Sequence, residues 1–260
     1  SSSFWSTSRL MREQRPFVTG LIVIAVLWQL STLFLPPIMT PPLQNIAVAT
    51  WQIFTQPNEL VQLLTTGARV LVAMVVSFAV GAALGIAMGT FDKLREYVKP
   101  QLHFVQGIPS VSWVVFAAIW FSHVELRIGF ILFIVTMPAF ALYIDSAVRS
   151  VSLDLIHLGQ AFRATRLQRF RMVVIPAIVP EMLSAWVVNL GSGVRVAMVA
   201  ELIGSSVGVG FQLLSAQAVF DMAGAIAWTL SLVILLSVFQ IAIKMLERRL
   251  LGWRPQAEQM

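Results

Sequence analysis

The sequence predicts an all-α membrane protein of six transmembrane helices. Two observations carry this. The chain has 260 residues, of which 58% are apolar and only 12% charged, with a mean hydropathy of +0.82. A soluble domain carries about 45–50% apolar and about 25% charged residues, so a soluble globular enzyme and a disordered chain are both excluded. The second observation is that 15 of the 18 bases fall in four clusters separated by pairs of apolar runs.

The first run, Phe17 to Leu35, spans about 28 Å as a helix, close to the roughly 30 Å hydrocarbon core. It lacks a small-residue cleavage site, which sets it apart from a signal peptide. Pro36-Pro37 and Pro41-Pro42 end it. A milder amphipathic stretch, Leu43 to Phe54, is expected to lie at the interface. Further spans are expected at Leu63–Phe91, Leu102–Phe121, Ile128–Val148, Val173–Leu202 and Ala223–Met245.

Arg9, Arg12 and Arg15 precede the first span. Lys93, Arg95 and Lys99 separate the second from the third. Arg149, Arg163, Arg166, Arg169 and Arg171 separate the fourth from the fifth, and Lys244, Arg248, Arg249 and Arg254 close the chain. Only Arg69, Arg127 and Arg195 lie elsewhere. This bias puts both termini in the cytoplasm. Four separate clusters beside a membrane are an orientation signal and not the contiguous footprint that a nucleic acid requires, so no nucleic-acid partner is expected; the bilayer itself is.

Span two carries Gly81, Gly85 and Gly89, a spacing that lets another helix backbone approach closely, within the chain or across a dimer. Trp113, Trp120, Trp186, Trp228 and Trp253 read as interfacial anchors.

Little in the chain speaks of catalysis. There is no cysteine, hence no disulfide or thiolate chemistry. His103, His123 and His157 are scattered without ligand spacing, and no metal site is expected. No phosphate-binding loop or serine elbow appears, so no cofactor is expected in this chain. Polar groups inside the spans look isolated. The candidates for a translocation path or gate are Glu181, Asn189, Ser192, Arg195, Glu201 and Gly204, because charge in a membrane is costly and defaults to function. Six residues along a helix is 240° net, so Arg195 and Glu201 do not share a face. Each line a polar path, pair with another helix, or reach the interface.

Between spans four and five, residues 152–175 read as a short helix with an apolar edge of Leu155, Leu158, Phe162 and Leu167. Ser152 is a candidate N-cap and Asp154 sits in the first turn, where its charge suits the helix dipole. Such a helix suits an anionic leaflet or a groove on a soluble partner.

Four stretches carry a resemblance. They are "GIPSVSWVVFAAIWF" (107–121), "RATRLQRFRMVVIPAIVP" (163–180), "AELIGSSVGVGF" (200–211) and "LERRLLGWRP" (246–255). Their order and spacing resemble the inner-membrane permease subunits of type I ABC importers, in the branch of nitrate, sulfonate, taurine and bicarbonate-like permeases. The resemblance implies that fold, with a cytoplasmic tail (1–16), a first helix and periplasmic interfacial segment (17–62), a type-1 transmembrane core (63–250, coupling loop 150–171) and a cytoplasmic tail (251–260). It implies a bacterial inner-membrane location and alternating access for a small anion. The implied partners are two ATP-binding subunits that hold ATP and Mg, a second permease chain and an extracytoplasmic binding protein. In that family a Glu-Ala-Ala signature is followed by Gly and, thirteen residues later, by Pro. Counting back from Pro176 puts Arg163 at the Gly, and His157, Leu158 and Gly159 at the Glu-Ala-Ala. The signature is degenerate here, which fits an unusual ATPase or a heterodimer with a better-matching permease. Asp154, Leu155, His157, Leu158, Gly159, Phe162, Arg163, Arg166 and Pro176 are the implied coupling residues. An ion-gradient carrier would need a midplane carboxylate relay and internal repeats, and a membrane-embedded enzyme a polar cluster; neither is seen in the sequence.

Overall fold

The computed structural model describes residues 3–152 and 161–250. The described residues are helical, with no strand among them. The helices are α1 (Ser3–Ser31), α2 (Leu43–Thr55), α3 (Pro57–Thr90), α4 (Asp92–Gly107), α5 (Ser110–Trp120), α6 (Val124–Arg149), α7 (Arg166–Arg169), α8 (Ile175–Leu202), α9 (Val209–Ala218) and α10 (Met222–Leu250), with a π-turn at Phe170–Val174. They fall into two compact units, residues 1–60 with 212–231, and residues 61–211 with 232–260.

In the first unit the turn after α1 is pinned by side chains. Trp28 Nε1 donates to the Pro41 carbonyl at 3.0 Å, and Gln29 Oε1 accepts from the Leu43 amide at 3.2 Å. α2 buries Ile46 and Ile53 and exposes Trp51. Asp221 caps α10 by accepting from the Gly224 amide at 2.9 Å. Trp228, expected at the interface, is buried.

The second unit is built on α6. Along α3, a methyl at Gly81 would lie 2.8 Å from the Met137 carbonyl oxygen, one at Gly85 2.5 Å from that of Ala141, and one at Gly89 2.6 Å from Val148 Cβ. Only glycine permits so close an approach of α3 to α6. Phe78, Phe140 and Trp186 then form a ring triangle with centroids 5.4–5.6 Å apart, joining α3, α6 and α8. Trp186 is half-buried in this triangle.

Among the described residues, four helices are long and apolar enough to cross a membrane: Pro57–Thr90, Val124–Arg149, Leu167–Leu202 and Met222–Arg249. The expected continuous span at Leu102–Phe121 is instead broken. α4 and α5 meet at 92°, because Pro109 has no amide proton to continue a helix and holds Ile108 extended (φ −78°, ψ 125°). The first helix, Ser3–Ser31, stops at Ser31 and not Leu35.

At the far end of α6, Asp145 is fully buried and accepts from Arg95 Nε at 3.1 Å and Lys99 Nζ at 3.4 Å. One turn on, Arg149 reaches Asp92 at 2.7 Å. Asp92, Arg95 and Lys99 lie on one face of α4, so two ion-pair sets fasten it to α6. Pro176 explains the π-turn. It offers no amide proton, and the preceding amide, Ile175, reaches back five residues to Phe170.

Candidate functional site

The polar groups that looked isolated in the sequence are gathered at the other end of α6. Gln62, Thr66 and Arg69 recur at i, i+4 and i+7, one face of α3. Glu201 at the end of α8 is fully buried against that face. Arg69 Nη1 donates to Glu201 Oε1 at 2.7 Å, and Thr66 Oγ1 lies 2.9 and 2.8 Å from its two oxygens. The Gly210 amide donates to Glu201 Oε2 at 2.9 Å. A buried carboxylate is tolerated when its lone pairs are met this fully.

The segment after α8 folds over that carboxylate. Successive amides of Gly208, Val209 and Gly210 donate to Gln62 Oε1 (2.7 Å), Thr66 Oγ1 (2.9 Å) and Glu201 Oε2. Arg69 Nη1 also reaches the Val207 carbonyl at 2.9 Å. Gly208 has φ +109°, and a Cβ there would lie 2.5 Å from the Glu201 carboxylate. Glycine is required twice over, by the left-handed backbone and by the close approach.

Arg69 has a second partner. Its Nε donates to Glu125 Oε2 at 2.9 Å and its Nη2 pairs with Glu125 Oε1. Glu125, in the first turn of α6, keeps 67% of its side chain exposed. Arg69 therefore ties α8 and its following loop to α3 on one side and α6 to α3 on the other. A groove of about 750 Å³ opens beside it between α3 and α6.

Of the path candidates, Glu201 alone joins this cluster. Gly204 is exposed, with Arg127 packed over it. Arg195 is exposed and donates to Ser192 Oγ, one turn back, at 3.3 Å. Asn189 is buried and its Nδ2 has no protein partner among the described residues. Glu181 is exposed. Thr66, Arg69 and Glu125 did not stand out in the sequence. The polar i, i+4, i+7 stripe in an apolar span was the available signal for the first two.

Asp154, Leu155, His157, Leu158 and Gly159 lie outside the described residues, as does the body of the expected loop helix. Phe162 is 79% exposed. Arg163 adopts φ +55°, the left-handed conformation that favours glycine. That is the position at which the resemblance calls for Gly. Among the described residues no group of His, Cys, Asp or Glu is arranged to hold a metal.

Comparison with known proteins agrees with this architecture. Residues 77–252 match the family described as "Binding-protein-dependent transport system inner membrane component". The chain is 25% identical over 243 residues to the taurine transport system permease protein TauC of Escherichia coli (strain K12), covering 91% of this chain and 88% of that one. It is 23% identical over 151 residues to the nitrate import permease protein NrtB of Synechocystis sp. (strain ATCC 27184 / PCC 6803 / Kazusa), covering 58% and 55%. Among solved structures, a chain of the MetNI methionine ABC transporter in an inward-facing form superposes with a TM-score of 0.63 at 19% identity, covering 75% of this chain and 99% of that chain, which shows a common fold. With the family spanning the α3–α10 core and the type I fold shared, this multi-pass membrane chain belongs to the binding-protein-dependent inner-membrane components, the non-enzymatic transmembrane permease subunits of ABC importers.

Proposed function

We propose that the chain forms, with a second permease chain, the alternating-access pathway for a small anion. The solute is handed over by an extracytoplasmic binding protein. Two ATPase subunits beneath hold ATP and Mg. The family match over residues 77–252 carries this reading. The relative named for nitrate transport supports a small anion, and the one named for taurine supports a solute bearing an anionic sulfonate group.

Both termini lie in the cytoplasm, with six crossings counting α1 and the bent α4–α5 pair. This orientation puts the Arg69 cluster at the outer end and the Asp145 cluster at the inner end. The sorting of bases in the sequence supports it. The loop 150–171 grips the ATPase. Exposed Phe162 and Leu167 present apolar surface for that contact, and ATP binding preferentially to one state moves the equilibrium. Arg195, held by Ser192 and carrying no carboxylate partner among the described residues, is the cation offered to a passing anion. Gly204 and the loop beyond it shape the outer mouth.

Uptake by the purified complex in proteoliposomes tests this. Nitrate and small sulfonates are supplied with the binding protein, with and without internal ATP. ATP-dependent uptake is expected. Transport by a preparation that lacks any nucleotide-hydrolysing chain and runs on a proton gradient would refute it.

A further inference from the structure

Along α8, Glu181, Ser184, Val188 and Arg195 are exposed, with half-buried Gly191 and Ser192 on the same line. Spacings of three and four keep them on one face of the helix. The exposed face of α3 is aliphatic instead, with Val61, Leu64, Val72, Val75, Val76 and Val80. The α3 face suits lipid. The α8 face, with two charges and two hydroxyls, does not.

The positive charge on this face lies deep. Arg195 Nη2 donates to Ser192 Oγ at 3.3 Å, and Nη1 would lie 3.8 Å from a Cβ at Gly191. The guanidinium therefore runs back along the helix, to a level about 5 Å before its own Cα. From Ser192 to the end of α8 at Leu202 is ten residues, about 15 Å, or half of the hydrocarbon core. A snorkelling arginine turns toward the nearer surface. This one turns away from it.

Nor does the chain neutralise that charge. A guanidinium has five N–H donors. One serves Ser192, and the ion pairs among the described residues belong to Arg69, Arg95, Lys99 and Arg149. Near the start of α6, Arg69 and Arg127 balance Glu125 and Glu201. At its finish Asp145 and Arg149 are paired with α4. α5 carries no charged residue, and α10 none before Lys244. Glu181, on the same face as Arg195, is 14 residues away, about 21 Å and too far to pair. Arg195 is thus the one unmatched charge in the middle of these helices among the described residues.

An unmatched cation at this depth requires water and a mobile anion beside it. The planar fork of a guanidinium meets two oxygens of an oxyanion side by side, a match that a spherical halide cannot make. Ser192, by accepting one N–H, sets where the other donors point. Gly191 leaves the fork uncovered, because any longer side chain there would start 3.8 Å from Nη1.

We propose that Gly191, Ser192 and Arg195 form an oxyanion-binding site at mid-bilayer depth on α8. Arg195 is the binding group, Ser192 positions it, and Gly191 keeps its fork open. The site rests on the pathway reading above and supplies the point at which that pathway selects its solute.

The chain has no cysteine, so Val188→Cys places a single thiol in it, one turn before Ser192. The complete complex in proteoliposomes is treated with a methanethiosulfonate reagent bearing either a sulfonate or a trimethylammonium group. Intact mass follows modification of this chain, and each rate is divided by that of a free thiol in solution. The sulfonate reagent is expected to be favoured roughly tenfold, the scale of one unit charge a helical turn away in water. Methanesulfonate is expected to slow its reaction more than chloride does at equal ionic strength. Arg195→Gln removes both effects, whereas Arg195→Lys keeps the charge preference and loses the advantage of methanesulfonate over chloride. Gly191→Leu, which displaces the fork, loses the same advantage and serves should Arg195→Gln fail to assemble. Equal rates for the two reagents, equal protection by the two anions, or effects unchanged in the assembled variant overturn the proposal. So does an unreactive thiol, which would mean that lipid or a second copy seals this face. The labelling needs neither ATP nor a binding protein. ATP-driven uptake alongside equal rates therefore refutes this site alone, and a charge preference without uptake counts against the transport reading alone.

Discussion

Replacing Arg69 with Met keeps an apolar stem and deletes the guanidinium with its charge. Glu201, fully buried, then keeps only Thr66 and the Gly210 amide as partners. Removing one member of a buried ion pair costs about 3–5 kcal/mol, since the other charge is stranded. At about 2–4 °C per kcal/mol for a chain of this size, that is a drop of roughly 6–20 °C in unfolding midpoint. Glu125→Gln removes the other arm of the same guanidinium. With 67% of Glu125 exposed, the loss is at most about 1 kcal/mol. The double variant Arg69→Met/Glu201→Met removes both buried charges, and replacement of a whole buried pair by apolar groups is often neutral or better. It is therefore expected to be more stable than Arg69→Met alone. Stepwise heating of the solubilised complex, followed by fluorescence-detected size exclusion, ranks the variants. If Arg69→Met is no worse than Glu125→Gln, or if the two Met substitutions simply add, the claim that Glu201 depends on Arg69 is wrong.

Gly208→Ala should cost more than about 1 kcal/mol, because φ +109° and the Glu201 carboxylate both oppose a Cβ; the same heating assay reads it. Gly85→Val drives side-chain atoms into the Ala141 carbonyl and Ile144, and a sharp fall in the yield of assembled complex is expected, with Gly129→Ala unaffected as the control. Asp145→Asn leaves Arg95 and Lys99 without their shared carboxylate, and is expected to increase protease cleavage of α4 in the purified complex. Arg163→Gly relieves a left-handed non-glycine residue, a gain of about 1 kcal/mol, and should raise ATPase activity coupled to transport, measured in proteoliposomes.

The hydropathy of the chain was enough to find the long helices, because a backbone in lipid must satisfy its own hydrogen bonds and does so in long apolar runs. It was blind to the right angle at Ile108-Pro109, since averaging over a window records composition and not direction. The glycine spacing on α3 pointed to close packing, but only the structure names α6 as the helix approached. Arg69 appeared in the sequence merely as an exception to the charge bias. Its partners are 56 and 132 residues away, and no local pattern joins helices so far apart. Of the glycines in 204–210, the sequence singles out Gly204 alone. The reason for Gly208, a buried carboxylate beneath it, lies in tertiary structure alone.

The distribution of these contacts says how a push would travel. α6 runs directly into residues 150–171, so movement of that loop is delivered to its C-terminal end. There Asp145 and Arg149 fasten α6 to α4, and Gly81, Gly85 and Gly89 hold it against α3 with no slack. The packed end cannot shear without steric overlap, because close-packed interfaces are not continuously deformable. At the other end, Glu125 holds α6 by one exposed ion pair beside an open groove, and breaking it strands no buried charge, since Arg69 stays with Glu201. The soft joint of α6 is therefore its Glu125 end.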